Sequence, residues 1–307
     1  MKTSIIILIT FASFTAFSQD SLLSIKYLCN EIAISNSEEN KLKLNEKLLI
    51  SLKAELQSNT QKLEDIDSTG LLFELQSSDQ MFQIVSWAIQ FEDEWEYFGF
   101  LKSYHQNKKE FEVMDLTPTD YIQSSKTKGV YSHENWPAGV YYKLIETTYN
   151  KRKYYTLLGW IAPSNQTAHK FIEVITLSKN GRPSFGKSAY FSIDKEYKNR
   201  MLFSYNSQSN FQLDYGEYSY SERKWNRKKK KYDENISEEY LLVFDHLIPL
   251  YPDLADHPEF LVPVGNTVDA FAFIKGKWRM KHDIDARNLK IKKKKTEKPN
   301  LNLLPDL

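Results

Sequence analysis

The residues best placed to do chemistry gather late in the chain. Phe244-Asp245-His246-Leu247 closes an apolar run, and Asp253, Asp256 and His257 follow it. Two imidazoles and three carboxylates within 13 residues have the donor set for a divalent metal, or for an acid and a base. Their spacing matches no established ligand pattern. Asp and His at a strand end also cap free backbone groups in turns, and that reading competes with the site.

Other candidates are thinner. His282-Asp283-Ile284-Asp285-Ala286-Arg287-Asn288 has the opening spacing of a calcium loop but lacks its glycine and distal glutamate, so it reads as a turn ending the last strand. His169 and Glu173 are four apart on an expected strand, hence on one face. Trp136, Tyr141, Tyr142, Tyr154 and Tyr155 offer rings for stacking on sugars, or equally for core and cross-strand packing. Gly-x-Ser-x-Gly, His-Glu-x-x-His, a Walker loop, a dinucleotide fingerprint and Cys-x-x-Cys are all missing. The commoner hydrolases, zincins, nucleotide enzymes and thiol redox enzymes are therefore disfavoured. A site assembled from dispersed strands is not.

Such residues need elements to position them. The chain has 307 residues, 41% hydrophobic and 14% aromatic, with 10 Gly, 10 Pro and one Cys. That composition excludes collagen, a disulfide scaffold, a multi-span membrane protein and a mainly disordered chain, and leaves one large or two small domains. Residues 20–62 read as two helices. Leu22, Leu23, Ile25, Leu28, Cys29 and Ile32 make one stripe, and Leu44, Leu48, Leu49, Leu52 and Leu56 make another beyond a break at Ser35-Asn36-Ser37.

From Gly70 the pattern becomes strand-like. Met81–Gln90 and Trp95–Leu101 flank the turn Glu92-Asp93-Glu94, and Val140–Thr148 and Lys153–Ile161 flank Asn150-Lys151-Arg152. Lys170–Leu177 runs to Asn180-Gly181, a strong hairpin signal. Further strands are expected at Met201–Tyr205, Phe211–Tyr215, Tyr240–Phe244, Ala270–Ile274 and Lys277–Met280. Short turns without helical crossovers imply an antiparallel meander. About a dozen strands exceed one open sheet, so the body should be sandwich-like or barrel-like, with a few-bladed propeller as the alternative. Two polar segments interrupt the meander, 116–138 and 245–266. The second holds prolines 249, 252, 258 and 263, which argue against regular central strand.

The ends read differently. Lys2 precedes an apolar run from Ile5 to Phe17, and Ala16 and Ser18 suit a cleavage site, so 1–18 reads as a signal peptide. Cys29 is too far downstream for a lipoprotein anchor and reads as a small buried hydrophobe. The chain has 41 Lys+Arg against 40 Asp+Glu, but the charge is segregated. Residues 223–231 carry seven bases and the tail from Lys290 carries six, leaving 27 bases against 38 acids in the rest of the mature chain. Like charges repel, so both runs should be solvated, as a loop and a frayed end or as contacts with an anionic envelope surface (223–231 and 290–298). Nucleic acid is a poor partner for so acidic a body.

Several strings together resemble an uncharacterised group of secreted proteins from Bacteroidota-type bacteria. They include Ile84-Val85-Ser86-Trp87, Tyr97-Phe98-Gly99-Phe100, Tyr155-Thr156-Leu157-Leu158-Gly159-Trp160, Pro183-Ser184-Phe185-Gly186, Val243-Phe244-Asp245-His246-Leu247-Ile248-Pro249, Asp269-Ala270-Phe271 and Gly276-Lys277-Trp278. The resemblance spans roughly residues 20–289. It implies export and a β-rich body, and it carries over no activity, cofactor or site residue.

The expectation is a mainly β protein with N-terminal helices. Its parts are a signal peptide (1–18), a helical hairpin (19–66), an antiparallel β-rich domain (67–289) and a basic disordered tail (290–307). Its expected role is non-catalytic binding or assembly in the periplasm or outside the cell. The alternative is a hydrolase or metal-dependent enzyme using Asp245, His246, Asp256 and His257, with any cofactor unassigned and no transmembrane segment in the mature chain.

Overall fold

Eight consecutive residues of one strand, Phe82 to Ile89, are buried. Side chains alternate between the two faces of a strand, so that strand has something packed on both sides. The computed structural model describes residues 25–58, 63, 70–92, 94–119, 127–164 and 166–284. The expected signal peptide, residues 285–288 and the 290–307 tail lie outside them.

One side of that strand is covered by helices. α1 (25–34) and α2 (Glu38–Ser58) are joined by three residues. Ser37 Oγ accepts from the Asn40 amide at 3.3 Å, and Glu38 and Glu39 complement the positive end of α2. The α2 stripe of Leu44, Leu48, Leu52 and Leu56 joins Ile25, Leu28 and Ile32 of α1 on Val85, Trp87 and Ile89 of the sheet. Cys29 is buried there as a free thiol.

The sheets stack behind the helices. The first runs β1 (Phe73–Gln76), β2 (Phe82–Phe91), β3 (Glu94–His105), β4 (Glu110–Asp115) in order. A small parallel pair follows, β5 (Pro118–Thr119) with β6 (Trp136–Pro137). The second sheet contains β7 (Val140–Tyr149), β8 (Arg152–Ile161), β9 (Thr167–Leu177) and β10 (Pro183–Phe185), and β13 (Met201–Asn206) pairs β9 beyond β10. The third is ordered β12-β11-β17-β16-β15-β14. Its strands are β11 (Phe191–Ile193), β12 (Glu196–Lys198), β14 (Leu213–Asn226), β15 (Lys231–Pro249), β16 (Leu261–Ile274) and β17 (Lys277–Ile284).

Phe82, Ile84 and Ala88 of the first sheet meet Leu157, Phe171 and Ile175 of the second. The second sheet's other face, with Leu158, Ile172 and Val174, meets Leu242, Phe244, Phe271 and Trp278 of the third. Each junction also carries a polar bridge. Trp87 Nε1 donates to Asn45 Oδ1 at 2.9 Å, the Tyr141 amide to Ser86 Oγ at 3.0 Å, and Trp278 Nε1 to Thr156 Oγ1 at 3.0 Å. A buried donor left without a partner would cost about 1–3 kcal/mol, so these bonds fix how the layers sit on one another.

The protein is thus mainly β, with helices first and antiparallel sheets after them, and among the described residues no barrel closes. It is a stack of sheets, and the propeller alternative is not adopted. The meander is broken once within the third sheet: β11 pairs β17 in parallel, the crossover being supplied by the strands between them. Two local expectations change. Pro249 ends β15 and Pro263 lies inside β16, where among the described residues each strand pairs on one side only and proline is tolerated. The basic run 223–231 is the outer end of the β14–β15 hairpin rather than a loop. From Glu217–Tyr240 outward those two strands, among the described residues, pair only with each other, a two-stranded ribbon turning at Arg227–Lys230. Among the described residues no helix is long and apolar enough to cross a membrane.

Candidate functional site

Two register shifts lie close together in the third sheet, one between β15 and β16 and one between β16 and β17. β15 slips register between Asp245 and Leu247, and β16 slips between Val268 and Ala270. A bulge leaves one residue unpaired and re-aims its side chain. Among the described pairs His246 has no partner on β16, and Asp269, paired with Phe244 on β15, has none on β17; the two side chains meet, with His246 Nδ1 2.9 Å from Asp269 Oδ2. The neighbouring strand adds His282, whose Nδ1 is 3.6 Å from Asp269 Oδ1 and whose Nε2 is 3.3 Å from Asp194 Oδ1.

Asp269 is 5% exposed, whereas the side chains of His246 and His282 are 44% and 48% exposed. A buried carboxylate that accepts from Nδ1–H holds an imidazole in one tautomer and leaves Nε2 facing outward. That is the orienting half of an acid–base device. Among the described residues no group of three or more His, Cys, Asp or Glu side chains is arranged to hold a metal ion.

The other sequence candidates go elsewhere. Asp245 turns to the residue before β14, where its Oδ2 accepts from the Gln212 amide at 2.7 Å. Burial raises its pKa, opposed by that hydrogen bond and by the Lys170 charge. Asp253 is exposed in the 3₁₀ turn Pro252–Leu254. Asp256 is exposed. His257 Nδ1 is 3.2 Å from Glu259 Oε1, and its ring stands edge-on to Phe260. Of Asp245, His246, Asp256 and His257, only His246 thus joins a second titratable group of the cluster.

His169 and Glu173 part in the same way. His169 Nδ1 bonds Ser204 Oγ at 2.8 Å, and Glu173 pairs with Arg200. Trp136 and Tyr141 are fully buried, with the indole N–H donating to the phenol oxygen at 2.9 Å. Tyr142, Tyr154 and Tyr155 are half-buried.

Asp269 and Asp194 escaped sequence reasoning because they are remote from His246 along the chain. Asp269 did leave a signal: it is the lone acid in the apolar run Val268-Asp269-Ala270-Phe271-Ala272-Phe273. A separate concavity of about 380 Å³ lies beside β3, with Leu49, Trp95, Tyr97, Thr119 and Ile161 in its wall.

No protein family, curated protein or solved structure matches this chain.

Proposed function

We propose that this is an exported, non-catalytic binding or assembly protein of the cell envelope that engages an anionic surface through its ribbon. The observation that carries the reading is the ribbon itself. Ten cross-strand pairs, Glu217↔Tyr240 to Asn226↔Lys231, extend with no third strand beside them among the described residues. At about 3.3 Å per residue the projection is about 30 Å. An unsupported two-stranded ribbon is marginal in water, so folding alone gives no reason to retain one. Its turn and first following residue are Arg227, Lys228, Lys229, Lys230 and Lys231, all exposed.

A basic tip on an acidic body orients the molecule in the field of an anionic surface. Each lysine near such a surface contributes about 1 kcal/mol. The apolar run after Lys2 and the Ala16/Ser18 ending support export.

The test is co-sedimentation of the mature chain with vesicles, zwitterionic or anionic. Binding is expected only to the anionic vesicles, weakening as salt rises, and falling at least about tenfold in a Lys228→Gln/Lys229→Gln/Lys230→Gln variant. Salt-independent binding, or binding unchanged in the variant, defeats the reading.

A second reading has its own observation, the buried Asp269 carboxylate aligned on the half-exposed His246. It makes His246 a general base in a hydrolytic reaction. A screen of ester and phosphoester substrates in which any turnover survives His246→Gln undiminished eliminates that reading.

A further inference from the structure

The rims of the first and second sheets and the link from β10 to β11 line a pocket of about 490 Å³. Met81 and Gln106 come from the ends of β2 and β3, Arg152 to Tyr155 from β8, Ile175 to Leu177 from β9, and Lys187 from the link between β10 and β11. This is neither the ribbon nor the His246 cluster, and its volume is that of a small-ligand site.

Its charges are unusual. Lys153 is neutralised, with Asp79 at 3.1 Å and Glu146 at 3.6 Å. Lys187 is half-buried, and among the described residues no carboxylate pairs with it, with Arg152 or with Lys277. A partly desolvated ammonium ordinarily takes a counter-charge. Lys187 instead has two rings, Tyr154 with its centroid 4.3 Å from Nζ and Tyr190 at 5.2 Å. Arg152 and Lys277 carry its own sign, and after burial their charges are what draws its pKa down.

Two adjoining turns bring these cations together. Asn150 and Lys151 form the β7–β8 turn at φ 49° and 63°, and Lys275 and Gly276 form the β16–β17 turn at φ 52° and 77°. The turns touch, since a Cβ on Gly276 would lie 3.0 Å from Tyr149 and 3.1 Å from the Tyr154 hydroxyl. Lysine in the left-handed region costs roughly 1–2 kcal/mol. The fold therefore accepts both strain and like-charge crowding at one rim.

We propose that this pocket binds a small ring-bearing oxyanion, its phosphate or carboxylate held by Arg152 and Lys187 and its ring laid against Tyr154, Tyr155 and Leu177. A guanidinium fork beside an ammonium matches either oxyanion. Gln106 and Thr176 add neutral hydrogen-bonding groups, and Met81 and Ile175 complete an apolar wall that a bare inorganic ion would not use.

Calorimetric titration of the mature chain with phenyl phosphate, benzoate, inorganic phosphate and phenol tests this. Phenyl phosphate or benzoate is expected to bind at least about tenfold more tightly than inorganic phosphate or phenol, and the better of the two identifies the oxyanion. Lys187→Met and the exposed Arg152→Gln are each expected to weaken it about tenfold or more at an unchanged unfolding midpoint. The ribbon variant is expected to bind as wild type does, so failure of the ribbon reading and of this one are separable. Absence of binding by both ring oxyanions overturns the proposal, as does equal affinity for inorganic phosphate. Unchanged affinity in Arg152→Gln overturns it even if Lys187→Met fails to fold.

Discussion

Arg200 and Glu173 form an ion pair wholly inside the protein, with neither side chain exposed to solvent. The guanidinium lies 5.8 Å from the ring centroids of both Tyr131 and Phe171. Glu173 Oε1 also accepts from the Val174 amide at 3.2 Å. Burial pulls the Arg200 pKa down to about 10, which still leaves it a cation at neutral pH.

Removing one partner leaves the other charge buried and uncompensated. Arg200→Met should therefore destabilise the fold by about 3–5 kcal/mol, measured by urea denaturation. The double variant Arg200→Met/Glu173→Leu should recover most of that loss, because an apolar pair replaces the ion pair without stranding a charge. If the double variant is as unstable as the single, the pair is not the cause.

Phe171, beneath that guanidinium, depends on a missing side chain. The cross-strand register runs Tyr141↔Gly159↔Phe171, and a Cβ on Gly159 would come 2.2 Å from the Phe171 ring. Phe171 is fully buried and stands edge-on to Tyr141 at 5.6 Å, so it has nowhere to move. Gly159→Ala should cost about 1–3 kcal/mol by overpacking. Shrinking the ring in Gly159→Ala/Phe171→Leu should make the glycine substitution cheaper than it is alone, as a double-mutant cycle reports.

Besides its leucines, the helical layer is tied to the first sheet by buried hydrogen bonds, Trp87 Nε1 to Asn45 Oδ1 and Lys102 Nζ to the Leu56 carbonyl. Asn45→Ala strands the Trp87 indole N–H and should lower stability by about 1–3 kcal/mol. Amide exchange should rise first in α2 and β2, which face each other across that bond. Uniform exchange across all three sheets would show that the bond does not hold this layer in particular.

His169 sets a pH dependence. Burial lowers its pKa below 6.5, so between the native value and 6.5 the unfolded chain binds a proton that the native one does not. Stability should therefore fall as pH drops through 6.5 and level off below the native pKa. In His169→Gln that part of the slope should vanish, as read from urea midpoints between about pH 7 and 5. A slope unchanged by the substitution would assign it to other groups.

How much of this was legible depends on range. The α2 leucines are buried as their four-residue spacing implies, and the turn at Asn180-Gly181 follows β9 and precedes β10 as its dipeptide implies. The strands at 82–91, 94–105, 140–149, 152–161, 167–177 and 201–206 were likewise readable from periodicity and turn length, whereas β1, β4, β10 to β12, the outer ribbon and the parallel β11–β17 pair were not. The His246–Asp269 contact was not. It requires two bulges, and a one-residue slip in either strand sends a side chain to the other face without altering the apolar pattern.

Arg200, in Lys198-Asn199-Arg200, has the local appearance of a solvated cation. Its burial against Glu173 is a consequence of how β9 and the segment entering β13 come together. The Arg152–Lys187–Lys277 rim is equally remote along the chain.

By itself, then, the sequence determined the elements: two leucine-striped helices, sequential hairpins and a segregated charge pattern. These follow from backbone geometry and the spacing of neighbouring side chains. Only the tertiary structure decided that three sheets stack, that a carboxylate and an arginine are sealed between them, and which imidazole meets which acid. Those outcomes depend on register and layer contact between distant segments, where a shift of one residue exchanges buried for exposed.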